Sequence, residues 1–104
     1  MLCIAFKGRL DATNASDTEK QINNYLNELR KDINIAVDLT ELEYISSAGL
    51  RVLLVITKNR KKNNSDLCLF GLNENVMEIF KISGFDTIFN IAENETEAVS
   101  VLKD

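Results

Sequence analysis

The stretch "IAVDLTELEYISSAGLRVLL", Ile35 to Leu54, decides the fold. The approach to it, from Ile33 to Leu39, puts Ile33, Ile35 and Val37 on one face, the two-residue period of a strand. From about Ser47 to Lys62 the pattern is different. Over Leu50 to Ile56 it is apolar on nearly all sides, as expected of a deeply packed helix. Between them sit two hydroxyls, Ser46-Ser47, with Gly49 two residues on. A serine at a helix N-cap satisfies an orphan N–H and contributes about 1 kcal/mol. Capping accounts for one serine. It needs neither the second nor Gly49, since glycine in a helix is about 1 kcal/mol less favourable than alanine. A glycine there removes bulk beside the hydroxyls, as close approach of a partner's backbone requires.

Working outward, Met1 to Phe6 reads as a strand ending at Gly8. Asn14 to about Lys31 reads as a helix with Ile22, Tyr25, Leu26 and Leu29 on one stripe. Asn14, or Ser16 with Glu19 in a capping box, would start it. "LCLFG", Leu67 to Gly71, is a third strand. Asn73 or Asn75 opens a short helix carrying Val76, Ile79 and Phe80, closed by Gly84. "TIFNI", Thr87 to Ile91, is a fourth strand. Asn94 with Glu97 begins a last helix whose inward residues are Ala98, Val101 and Leu102. Alternation of this kind gives the α/β class: a mostly parallel four-stranded sheet interleaved with four helices and joined by right-handed crossovers. The basic cluster Lys58, Arg60, Lys61 and Lys62 falls at a helix C-terminus, where cations suit the dipole, and reads as a solvated end.

Composition narrows the function. At 104 residues the chain fits one domain, 1–104, with roughly two-thirds of its unfolded surface buried. A net charge of -4 disfavours nonspecific nucleic-acid binding. The run Val52 to Ile56 is too short to cross a bilayer, and "MLCIAFKG" lacks the layout of a secretory signal, so a cytoplasmic protein away from membranes is expected. Cys3 and Cys68 read as reduced core thiols. The sequence has no histidine, which removes the commonest general base and metal ligand. No carboxylate pair has a spacing that points to a metal or to acid–base work. Neither a Gly-x-Ser-x-Gly elbow nor a P-loop is present. A non-enzymatic module without cofactor is the expectation.

In parallel α/β folds, ligands and partners meet the loops at the carboxyl ends of strands. "GRLDATNA" brings Asp11 to that rim and "TELEYISSAG" brings Ser46-Ser47. If the first two strands are neighbours, these residues share an edge. A phosphate on the first-turn serine would face free N–H groups and the positive end of the helix dipole.

Three stretches together resemble a STAS domain of the anti-sigma factor antagonist type. "LCIAFKGRLDATNA" resembles the family's strand followed by Gly-x-Leu-Asp. "IAVDLTELEYISSAGLRVLL" resembles its central signature, and "VMEIFKISGFDTIF" its third helix, Ser-Gly turn and last strand. The resemblance implies a phosphorylation switch in bacterial transcription. The unmodified protein binds an anti-sigma factor that is also a serine kinase, releasing a sigma factor. Phosphorylation ends that binding and a PP2C-type phosphatase restores it. By the same resemblance the phosphoacceptor is Ser47, with Ser46 the alternative because it stands where the family carries aspartate. Ala48 replaces the family's second hydroxyl. Asp11, Ser46, Ser47, Ala48 and Gly49 are the implied partner-binding residues. The first strand, without the extra N-terminal strand of many relatives, is expected at the sheet edge, giving a monomer or weak homodimer. A STAS scaffold that is not phosphorylated is the alternative. A ligand binder or enzyme on the Asp11/Ser47 rim lacks a base. A receiver domain lacks its acidic cluster.

Overall fold

Four parallel strands pair in sequence order, β1 (Leu2–Leu10), β2 (Ile35–Ile45), β3 (Leu67–Phe70) and β4 (Asn90–Ala92). The computed structural model describes residues 1–29 and 32–102. The helices are α1 (Ala15–Glu28), α2 (Ser47–Lys62), α3 (Glu74–Ser83) and α4 (Glu95–Leu102). The expected end of the first helix at Lys31 lies outside the described residues.

The strands put alternate residues on opposite faces. Ile35, Val37, Leu67 and Leu69 join Ile22, Leu26, Leu50, Leu53, Ile56, Val76 and Phe80 in the larger core. Ala36, Cys68 and Phe70 face the other way and pack with Ala98 and Leu102 in a smaller one. Helices α1, α2 and α3 thus cover one face and α4 the other. Phe89 completes the larger core, edge-on to Phe80 at 5.6 Å between ring centroids.

Both strands that lead to the serines are longer than their sequence pattern suggests. β1 does not stop at Phe6 but runs to Leu10, with Gly8 at φ 73° inside it. β2 continues past Leu39 through the expected loop to Ile45. From Ala5 to Lys7 β1 advances two residues while β2 advances three, Asp38 to Glu41. From Gly8 to Arg9 β1 advances one while β2 advances two, Leu42 to Tyr44. The two extra residues in β2 are bulges, and they rotate Leu39, Leu42 and Ile45 all inward at three-residue spacing.

Other expectations are corrected locally. β3 ends at Phe70, because Gly71 turns with φ 78° tight against Thr40. The fourth strand starts at Asn90, not Thr87, because a 3-10 turn over Phe85–Thr87 precedes it. Asn14 precedes α1 but does not cap it with its side chain, and Ser16 lies inside the helix. Instead, Asn14 Oδ1 accepts from the Asp11 N–H and Nδ2 donates to the Arg9 carbonyl. Tyr25 and Val101 are exposed, so the stripes of α1 and α4 are narrower than expected. The caps at Asn73, Gly84 and Asn94 are as expected.

Arg60 is not part of a solvated cluster. It is 1% exposed; its guanidinium donates to the Ile33 carbonyl at 2.7 Å and to Asn59 Oδ1 at 2.7 and 3.1 Å. Burial pulls its pKa down from the usual arginine range. Cys3 is exposed where a core thiol was expected, and Cys68 is buried; both are free. Cys3 pairs with Ala36, which pairs with Cys68. Two strand spacings, about 9–10 Å, separate the cysteines, beyond disulfide reach.

Candidate functional site

The site begins where β1 and β2 end together. Leu10 and Ile45 are partners in register, and the next N–H, that of Ser46, donates to the Leu10 carbonyl at 3.0 Å. This bond fixes the start of α2 beside the loop that carries Asp11. The rim expected from sequence is therefore formed: Asp11 follows β1 directly and Ser46-Ser47 follow β2 directly.

The two serines have different roles. Ser46 is the N-cap, in extended conformation and half-buried. Its Oγ accepts from the Gly49 N–H at 3.4 Å, and its carbonyl accepts from the Leu50 N–H at 2.9 Å. Ser47 is the first residue of the helix and is exposed. Ala48 is half-buried and Gly49 buried. The glycine has a role in the fold itself. A Cβ there would run into the Leu10 carbonyl oxygen and lie 2.7 Å from Ile45 Cγ1. The close approach that glycine permits is that of α2 onto the ends of its own two strands.

Asp11 is held by its neighbours. Its Oδ1 accepts from the Thr13 hydroxyl at 2.6 Å and the Thr13 N–H at 3.0 Å, while Oδ2 lies 3.3 Å from Arg9 Nε. The Thr13 hydroxyl, then its N–H, hold the Asp11 carboxyl below the usual carboxylate range, with Arg9 helping. Arg9 also lies over the Tyr44 ring, 4.6 Å from its centroid, so β2 steadies the cation that faces Asp11.

Ser47 opens onto a groove of about 500 Å³ between the first turns of α1 and α2. One wall is Ala12, Ala15, Ser16 and Glu19; the other is Ser47, Ala48 and Arg51. Ala12, Ala15 and Ala48 leave room in the groove because their side chains are short. Asp11 shares the rim but is not part of this groove. Glu19 and Arg51 are, and sequence reasoning did not single them out for the site. The signal for Arg51 was available: it lies four residues after Ser47 on the same helix, hence on the same face.

Among the described residues no group of three or more His, Cys, Asp or Glu is placed to hold a metal ion. No helix among them is long and apolar enough to cross a membrane.

Comparison with known proteins fits this geometry. The STAS domain family profile matches residues 1–98. BtrV of Bordetella bronchiseptica, provisionally named an anti-sigma factor antagonist, is 34% identical over 103 residues, spanning 99% of this chain and 87% of BtrV. The chain is a STAS domain of the anti-sigma factor antagonist family. The anti-sigma-B factor antagonist of Listeria monocytogenes is 32% identical to this STAS domain over 90 residues, 86% of the chain and 77% of the relative. The STAS fold superposes on a solved structure from Thermotoga maritima, also provisionally named an anti-sigma factor antagonist. Its TM-score is 0.89, with 23% identity and coverage of 99% of this chain and 88% of that one.

Proposed function

We propose that this STAS domain, 1–104, is a cytoplasmic anti-sigma factor antagonist without enzymatic activity. Unmodified, it binds an anti-sigma factor that is also a serine kinase, and a sigma factor is released. Phosphorylation of Ser47 ends the binding, and a PP2C-type phosphatase restores it. The names borne by its relatives support the antagonist role. One observation carries the choice of residue: the Ser46 hydroxyl is engaged as the cap of α2, while Ser47 is exposed at the mouth of a groove. Asp11, Ser46, Ser47 and Ala48 form the contact rim, and Gly49 acts by holding the turn in place. The lack of histidine in the sequence supports the absence of turnover, because the Ser47 hydroxyl has no imidazole to activate it.

The switch follows from unequal consequences. A phosphoserine carries about -1.5 to -2 charges. At the start of α2 the helix N-terminus favours it by roughly 0.3–1 kcal/mol, so the domain stays folded. A partner packed on the Ser46–Gly49 turn would bury that charge unpaired, at several kcal/mol, and each 1.4 kcal/mol is tenfold in affinity. The experiment uses the serine kinase partner from the same host with ATP, read by intact mass, calorimetry and thermal melts. One phosphate is expected. It is lost in Ser47→Ala and at most reduced in Ser46→Ala. The phosphorylated protein should melt close to the unmodified one and bind at least tenfold more weakly. Full labelling of Ser47→Ala would move the acceptor to Ser46. Tight binding without any labelling would favour the scaffold reading.

A further inference from the structure

We propose that Arg51 is the counter-charge built into the switch: it pairs with the phosphate on Ser47. This rests on reading Ser47 as the phosphoacceptor. Ser47 and Arg51 stand one turn apart on α2 and line the same wall of the same groove. Side chains four apart on a helix have Cβ atoms roughly 5–6 Å from one another, within reach of a phosphate and a guanidinium. That pair is the planar, multiply hydrogen-bonded contact for which arginine is suited.

Three features make Arg51 the natural partner. It is exposed, and among the described residues it makes no ion pair or side-chain hydrogen bond. The first turn of α2 carries no acidic residue to compete for it. The Gly49 N–H is already taken by Ser46 Oγ, so one of the amides that would otherwise receive a phosphate is occupied. A helix N-terminus depleted in this way leaves a dianion needing a cation, and Arg51 is the cation in its groove. Opposite lies Glu19, which repels a phosphate and directs it along α2 toward Arg51. The pairing removes both the Ser47 hydroxyl and the Arg51 cation from the surface offered to a partner. Loss of binding is then due to an occupied wall as well as to added charge.

The charged groups around the phosphate are Glu19 from α1, Asp11 and its Arg9 from the end of β1, and Arg51 from α2. Comparing Arg51 variants holds the others fixed. The test places phosphoserine at position 47 by genetic incorporation, so its result does not depend on which serine a kinase selects. Phosphorus NMR then follows the second ionisation of the phosphate across pH in the full chain, as wild type, Arg51→Gln and Arg51→Lys. An ordinary phosphoserine titrates near about 6. With Arg51 present the midpoint should lie lower, and Arg51→Gln should raise it by roughly half a unit or more, with Arg51→Lys between. The same ranking should disappear at high salt. Arg51 is exposed, so the unphosphorylated variants should melt like wild type; a melt taken in parallel confirms that the readout is local. Equal midpoints in wild type and Arg51→Gln would overturn the pairing, while mass spectrometry of kinase-treated protein separately tests Ser47 as acceptor.

Discussion

Asp11 looks like a free acid on the rim, but its carboxylate is organised by Thr13 and Arg9. These contacts favour the charged form and hold its pKa below the usual range. A carboxyl whose folded pKa lies below its unfolded one adds stability above the ordinary carboxylate range, and that stability fades as pH falls through the folded value. Asp11→Asn should therefore melt below wild type at neutral pH, with the gap narrowing as the pH drops below about 4. Thermal melts at stepped pH check this; a gap that stays constant would mean that neutral hydrogen bonds alone hold the turn. The Asp-x-Thr spacing was a readable turn signal. Arg60 was readable too, though it was grouped with its basic neighbours. It falls seven residues after Leu53 and four after Ile56, on the buried stripe of α2, so its position on the helix outweighed its charge. No local pattern disclosed that Ile33 would offer it a carbonyl.

At the scale of elements, the approach of α2 to the sheet sets the site. Gly49→Ala makes a test in which two effects oppose each other. Helix propensity favours alanine by about 1 kcal/mol. The added methyl, however, would meet a backbone carbonyl that cannot swing away, Leu10, and the Ile45 side chain. Overpacking of this kind costs about 1–3 kcal/mol and would strain the bond from the Ser46 N–H to Leu10 as well. The variant should be less stable in a urea titration, and a gain in stability would show that α2 can retreat without loss. Element order, three helix caps and the place of the serines were legible because periodicity and capping are local. The ends of β1 and β2 were not. Bulges break the two-residue alternation, so Leu39, Leu42 and Ile45 lose the strand signature while remaining in the strand. The groove was only half legible, since its far wall comes from the other end of a chain reversal through α1.

On the scale of the whole molecule, the open question is whether β1 recruits a second copy. Among the described residues it borders the sheet with β2 as its one neighbour over nine residues, and unpaired strand edges invite pairing. Several features of this edge oppose it. Lys7 and Arg9 are exposed along it, Lys7 sharing its charge with Glu41 at 3.5 Å in open solvent. The register slips twice beside it, and Gly8 takes a positive φ, so the outer row of backbone groups is not straight. A second β1 laid antiparallel would bring two such bent edges together, each lined with exposed charged side chains. The protein should therefore sediment as a monomer at micromolar concentration, and one copy should meet one partner subunit. Cys3, exposed on β1, gives an independent reading. Partial burial, then the negative charges of Asp38 and Glu95, raise its thiol pKa, so alkylation is best run under alkaline conditions. Cys3 should react in the folded protein and buried Cys68 only on unfolding, with a Cys3 rate that does not change with protein concentration. A dimer boundary in sedimentation, together with Cys3 protection that grows with concentration, would show that the bulges and cations are too weak to keep this edge free.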